Sequence, residues 1–319
     1  MRHPRARRKD GLSPVVGDSS AEVAHKILRR QFAQMLKNEC GTRRGDPDAL
    51  HDMRVASLRS RAAMRAFRDA LPARPVARFD RDLRWLRDAL GKVRDLDVHL
   101  THMATWVSNA PPGSRDALGP YLDQLHARRG RARAAMLRSL DTRRYSRFVE
   151  NLRLFLEAGP AQPPAACAAA RPVEEAAQQI IMRRLQEALA TGRAIGCDST
   201  DAQLHKLRIR CKRLRYACEF FEDLLGPPAT EFIARVKRLQ DALGENQDSV
   251  VAREKLTEFA GSVPAQGDPG SSLRTAVGCL LTAHEERSRR ARASFFEQWQ
   301  EFDSPAVRQP LLLCIGVAE

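Results

Sequence analysis

Two stretches of the sequence set histidine, arginine and lysine at spacings that align them along one side of a helix. The first reads LHDMRVASLRSRAAMRAFRDAL (50–71) and the second LHKLRIRCKRLRYACEFFEDLL (204–225); they superpose without a gap at an offset of 154 residues. Shared positions include His51/His205, Arg54/Arg208, Arg59/Arg213, Arg61/Arg215, Ala63/Ala217, Phe67/Phe221 and Asp69/Asp223. At about 100° per residue, with His205 at zero, Arg208, Lys212 and Arg215 fall at roughly 300°, 340° and 280°. Leu207, Cys211, Leu214, Cys218 and Phe221 flank that stripe on one side, and Ile209, Tyr216 and Phe220 on the other. In the first segment His51, Arg54, Arg61, Arg65 and Arg68 form the stripe, between Met53, Met64, Phe67 and Leu71 on one flank and Val55, Ala62 and Ala66 on the other. A solvated helix has one apolar stripe and one polar arc. A cationic stripe bounded by apolar residues on both sides belongs in a groove. The chemistry open to it is recognition of anionic oxygens, because each guanidinium forks onto two and a lysine acts as a mobile point charge.

Helices must position such stripes, and the rest of the chain reads as helices. After a one-residue slip the repeat resumes: LRDALGKVRDLDV (86–98) matches LQDALGENQDSVV (239–251). Two matched blocks in one order make the 319 residues a duplicated unit, with halves of roughly 150 residues. Pro- and Gly-rich breaks at 109–120, 159–172, 191–201, 226–228 and 262–272 separate stretches of helical periodicity, none with the alternation of a strand. Asp46-Pro47-Asp48 and Ser199-Thr200-Asp201 carry the capping residues and early acids of helix starts. The fold class is therefore all-α, two pseudo-symmetric helical bundles with a basic groove or pore between them. The expected boundaries are a disordered basic tail at 1–20, a domain at 21–302 and a C-terminal tail at 303–319. Within the domain the halves are 21–158 and 173–302, joined by a linker at 159–172.

Composition narrows the class. Apolar residues make up 43%, enough for a core, and the net charge is +15. Residues 1–160 hold 33 basic and 18 acidic groups, whereas 161–319 hold 21 of each, so a cationic feature in the second half is local arrangement. No Asp or Glu lies between Asp201 and Glu219. The competing reading is that Asp95, Asp97, Asp241 or Asp248 folds back as an internal counter-ion, but the arginines outnumber these acids, so the stripe as a whole is not expected to be neutralised from within. Seven scattered cysteines without a C-x-x-C pair argue against a disulfide framework or a zinc site and for a reducing compartment. The longest apolar run, Leu311 to Val317, is too short to span a bilayer, and the N-terminal residues lack the apolar stretch of a signal peptide. The expected compartment is the cytoplasm, with no membrane partner.

The pattern H-x-x-R-x-x-x-[KR]-R-x-R followed by A-L-G-x-x-[RQN]-D, occurring twice in an Arg-rich helical chain, resembles the CHAD domain. The resemblance covers roughly residues 20–300. It implies two halves like four-helix bundles about a pseudo-twofold axis, and binding of inorganic polyphosphate with association to polyphosphate granules and their proteins. The second motif is complete in His205, Arg208, Lys212, Arg213 and Arg215. The first has His51, Arg54, Arg59 and Arg61, with Leu58 where Lys or Arg is usual, a loss partly offset by Arg65 and Arg68. Arg84, Arg87, Lys237 and Arg238, on the second repeat block, are supporting contacts. Some members carry a triphosphatase-like tunnel domain with an E-x-E-x-K signature; none occurs here, and a stand-alone member is expected.

The function expected is non-catalytic polyphosphate binding, with no cofactor and no metal. Neighbouring cations favour neutral histidine and bound phosphate favours the charged form, so binding is expected to tighten at mildly acidic pH. Nucleic acid is an alternative or incidental partner on charge alone, but Trp and Tyr number only 3 each for base stacking. An acidic protein partner docking in the groove is a further alternative. A metal-dependent phosphohydrolase is the weakest: His51-Asp52, with His25 upstream, mimics a phosphohydrolase pair, but the repeat puts Lys206 where the acid would be. Asp95-Leu96-Asp97 keeps only Asp248 in its counterpart.

Overall fold

The computed structural model describes residues 11–109, 112–160, 167–262 and 268–317, and within them there are eleven α-helices and no strand. The first half contains α1 (Ser20–Arg44), α2 (Pro47–Ala66), α3 (Ala73–Asn109), the short α4 (Pro112–Ala117), α5 (Gly119–Leu140) and α6 (Arg143–Ala158). A 3₁₀ turn at Ala168–Ala170 leads into α7 (Val173–Gly192), α8 (Asp201–Leu225), α9 (Pro227–Ser262), α10 (Asp268–Phe302) and α11 (Pro305–Cys314). All-α architecture is what the periodicity predicts.

The helices that carry the cationic stripes start where their caps dictate. The Asp46 carboxylate accepts from the backbone N–H groups of Asp48 and Ala49, and Pro47 occupies the first position of α2, where no N–H is needed. Thr200 and Gln203 form a reciprocal capping box at the start of α8, satisfying two orphan donors. Gly45, at φ 98°, closes α1 in the left-handed conformation and turns the chain straight into α2.

One large core runs through both halves. It contains Met53, Met64 and Phe67 of the first and Leu207, Cys211, Leu214 and Phe221 of the second, with the Phe67 and Phe221 rings 5.8 Å apart. A second cluster sits at the far ends of the long helices, where Met103, Tyr121 and Leu125 meet Leu256, Phe259, Val277 and Leu280. The halves thus touch at two apolar places, and the helix pairs α2–α3 and α8–α9 lie between them.

Two boundaries are corrected. Residues 11–19 are part of the fold and not a tail: Ser13 bonds Asp223, and Ser19 caps α1 through a box with Glu22. Ser20 N–H donates to the Arg171 carbonyl at 2.7 Å and Val173 N–H to the Asp18 carbonyl at 2.9 Å, which clasps the segment to the start of α7. Residues 1–10 lie outside the described residues. The expected C-terminal tail contains α11, whose Leu311 and Leu312 are buried in the main core with Ile315 just beyond. The apolar run at 311–317 is thus a core element, and Pro310 sits within its short helix.

Candidate functional site

The helices α2 and α3 run as a hairpin that lays one stripe against the other. Down α3 the residues Asp80, Arg84, Arg87, Gly91 and Arg94 recur every three or four positions, a single face. Arg61, 5% exposed, forks onto Asp80, Nε to Oδ1 at 2.9 Å and Nη2 to Oδ2 at 3.3 Å. Arg65 reaches the same carboxylate at 3.7 Å and Arg84 at 3.3 Å, so three guanidiniums share one charge. Those cations hold the Asp80 carboxyl below its usual range although burial pushes it the other way. Further along, the Arg54 guanidinium lies against Gly91, and its nearest carboxylate, Asp95, is 3.7 Å away.

The second hairpin repeats this register. Arg208 lies against Gly244, the repeat counterpart of Gly91. Arg215 donates to Gln240 at 3.0 Å and to Glu219 at 2.7 Å. His205 Nδ1 donates to the Gln247 amide oxygen at 2.7 Å. The Nε atoms of Arg54 and Arg208 are both buried without an acceptor.

The two stripes meet where α2 passes α8. Arg59 crosses to Glu219 at 2.6 Å, and the Tyr216 ring lies under three cations, with Arg59, Lys212 and Arg215 between 5.0 and 5.7 Å from its centre. Lys212 has no carboxylate within ion-pair distance among the described residues. Burial pulls its pKa down to about 8, and so do Arg54, Arg208, Arg215 and Arg87, two of them from the opposite half. The result is a cationic seam between the halves, centred on Lys212. Of the acids considered as internal counter-ions, Asp95 approaches a stripe arginine, at 3.7 Å, while Asp97 is held by Arg129 on α5. The counter-ions found are Asp80, which lies between the two matched blocks of the first half, and Glu219, one turn after Arg215. Gln240, Gln247 and Arg94 were likewise unmarked, although the regular spacing from Asp80 to Arg94 was a usable signal.

The other candidate residues divide. His51 is exposed on α2; burial of its ring face and the Arg94 charge, with a smaller push from Arg54, hold its pKa below the ordinary imidazole value against the pull of Asp52. Arg87 pairs with the adjacent Asp88 and still bears on Lys212. Arg213 is half-buried and faces Arg184 and Arg210 toward α7. Lys237 is exposed one turn before Gln240. Arg238 is a correction: it stands about 200° around α9 from Gln240 and lines a shallow groove toward α10 with Asp241, Glu245 and Arg290. His25, grouped by sequence with His51 and Asp52, packs instead on Phe155 at 4.9 Å between ring centres.

A cleft of about 380 Å³ stands apart from the cationic seam. It lies beside the Arg59–Glu219 bridge and is lined by Arg30, Asp52, Glu219 and Glu222.

A model of the CHAD domain matches residues 26–257, and the chain belongs to that family. The crystal structure of the CHAD domain from the plant Ricinus communis superposes with a TM-score of 0.70 at 25% identity, covering 92% of this chain and 97% of that one. PptA from Streptomyces chartreusis superposes at 0.71 and 20% identity, over 89% of this chain and 100% of its own, a likeness of fold. Among curated proteins, the uncharacterized protein Rv2226 of Mycobacterium tuberculosis strain H37Rv is 28% identical over 264 residues, 78% of this chain and 47% of its own length. Uncharacterized protein MT2285 of strain CDC 1551 is 27% identical over the same extent. The chain spans about half the length of the curated relatives it matches. Among the described residues no helix is long and apolar enough to cross a membrane, and no three His, Cys, Asp or Glu side chains gather as a metal site.

Proposed function

We propose that the chain binds inorganic polyphosphate in the seam without chemical turnover, and rides on polyphosphate granules in the cytoplasm. The observation that carries this reading is the trio Arg54, Lys212 and Arg208: three neighbouring half-buried cations, of which only Arg54 has a carboxylate near, and that at 3.7 Å. Repulsion among buried cations costs the fold stability, and a linear polyanion relieves it all at once. A linear array suits a ligand with a charge on every phosphate and no bases to read. The two unsatisfied Nε donors fit extra oxygen acceptors.

Base recognition is less well served. Tyr216 is already covered by cations, and Trp85 is covered by the Arg144 guanidinium at 4.5 Å. Catalysis needs a positioned nucleophile and base or a metal, and the seam carboxylates Asp80 and Glu219 are engaged by arginines.

The test is direct titration with long-chain polyphosphate at several salt concentrations. Arg54→Gln with Arg208→Gln should weaken binding at least tenfold and flatten the logarithmic salt dependence by roughly 1–2. Arg289→Glu with Arg290→Glu, an exposed pair on α10, should do far less. Equal losses from both pairs would attribute binding to overall charge and discard the seam.

A further inference from the structure

The duplication also pairs positions that have diverged. At the 154-residue offset Arg59 corresponds to Arg213, and Glu219 corresponds to Arg65. In the structure Arg59 and Glu219 form an ion pair across the α2–α8 contact. Their counterparts Arg213 and Arg65 are two cations, and the Arg213 charge bears on Arg65 from the other half. One edge of the contact carries an ion pair, and the related edge carries two like charges.

The surroundings diverge in the same sense. The edge beside Arg59 is the 380 Å³ cleft formed by α1, the start of α2 and the end of α8, with acids Asp52, Glu219 and Glu222 against Arg30 and Arg59. The edge beside Arg65 is built from the corresponding pieces, the end of α2 and α7, and encloses about 130 Å³ lined by Arg65, Arg171, Arg183 and Arg184 with Asp69. Asp69 is exposed and pairs with Arg68. Glu187 takes Arg183, Arg184 and Arg210 together. Among the described residues the Arg171 guanidinium donates to the neutral amide of Gln179 and to no carboxylate, and Arg213 has no acceptor within hydrogen-bond distance. Arg65 belongs to both places, since it lines this pocket and shares Asp80 with Arg61 of the seam.

We propose that the pocket between the end of α2 and α7 is a phosphate-binding outlet of the seam, taking the phosphoryl oxyanions of a chain that continues past Arg65 toward Arg171 and Arg183. The inference rests on the polyphosphate reading of the seam. It assigns a direction: the chain leaves by the arginine-lined edge and is turned away from the acidic one. A chain of a few phosphates fills the seam and stops short of the outlet, whereas a long chain reaches it.

The experiment compares tripolyphosphate with long-chain polyphosphate on the full chain carrying Arg171→Glu and Arg183→Glu, neither of which belongs to the seam. The long chain should bind roughly tenfold more weakly, with a salt slope lower by about 1–2, and tripolyphosphate unchanged. Arg30→Glu at the acidic edge should alter neither. Arg171→Gln with Arg183→Gln, a milder pair, should give a smaller loss in the same sense, and thermal melting checks that both variants are folded. Unchanged long-chain binding, or equal losses for both ligands, overturns the outlet while leaving the seam standing. A wild-type protein that binds neither ligand overturns the polyphosphate reading itself.

Discussion

Arg208 lies on the backbone of Gly244: a Cβ at 244 would stand 3.5 Å from Arg208 Nε, and no acceptor reaches that nitrogen. Arg54 and Gly91 repeat the relationship in the other half at 3.6 Å. The missing side chain lets a guanidinium rest against a helix and keep a donor for something else. At these distances a methyl group makes ordinary contact, and anything bulkier must lift the arginine. Gly244→Ala is expected to leave polyphosphate affinity within about twofold and Gly244→Leu to lower it about tenfold, with calorimetric titration as the measurement.

Lys212 makes binding pH-dependent on the alkaline side. Its free-state pKa of about 8 rises when a polyanion favours the charged form, so binding takes up a proton. The Lys212 contribution to affinity is fully present well below pH 8 and is lost as pH rises through and above it. Lys212→Arg, always charged, should flatten that fall between pH 7.5 and 9.5. The same residue destabilises the empty fold: its folded pKa lies below 10.5, so stability rises from pH 8 toward 10.5, and Lys212→Met should raise stability at pH 7 by on the order of 2 kcal/mol. Thermal melts without ligand measure this.

His51 places the acidic-side gain lower than the sequence suggests. With its pKa held below the ordinary value by burial and Arg94, the histidine-dependent tightening should set in below pH 6.5. His51→Gln should remove it, read as affinity at pH 5.5 against pH 7.

At the far end of the bundle His99 and His284 are buried, with pKa values pulled down to about 4, chiefly by burial. His99 Nε2 meets the Tyr121 hydroxyl at 2.7 Å, and Lys255, His102, Arg253 and Arg287 add repulsion. The fold favours neutral imidazole, so this stability is present above pH 6.5 and is lost as pH falls toward 4. Each histidine withdraws on the order of 3 kcal/mol over that window. Melting curves at pH 7 and 4.5 should show the loss, and His284→Gln should reduce it.

Gly192 ends α7 directly beneath the Trp299 indole, and a Cβ there would overlap the ring. Gly192→Ala should destabilise by about 2 kcal/mol or more, measured by denaturant unfolding, while seam binding at low temperature is retained.

The sequence exposes what is periodic and doubled. Arg54, Arg61, Arg208, Lys212 and Arg215 were legible because two helices repeat one stripe, and the glycines of A-L-G were visible as identities though not as arginine rests. The pairing of Asp80 with Arg61 and of Glu219 with Arg59 escaped because a counter-ion taken from another helix is chosen by where the helices meet, whereas the Arg215–Glu219 pair, four residues apart on α8, was open to a reading of helix spacing. Arg238 was misplaced because adjacency to Lys237 in sequence is a turn of about 100° in space. The α11 helix escaped because Leu311, Leu312 and Ile315 make too short a pattern to separate from an apolar tail.

The clasp between Asp18–Ser20 and Arg171–Val173 joins the opening residues of the two halves by main-chain bonds that no replacement other than proline at Ser20 or Val173 removes. Together with a core shared across the halves, it makes the covalent connection through 161–166 redundant for holding the molecule together. A protein nicked there should migrate as one particle, and the two fragments produced separately should find each other and regain the fold.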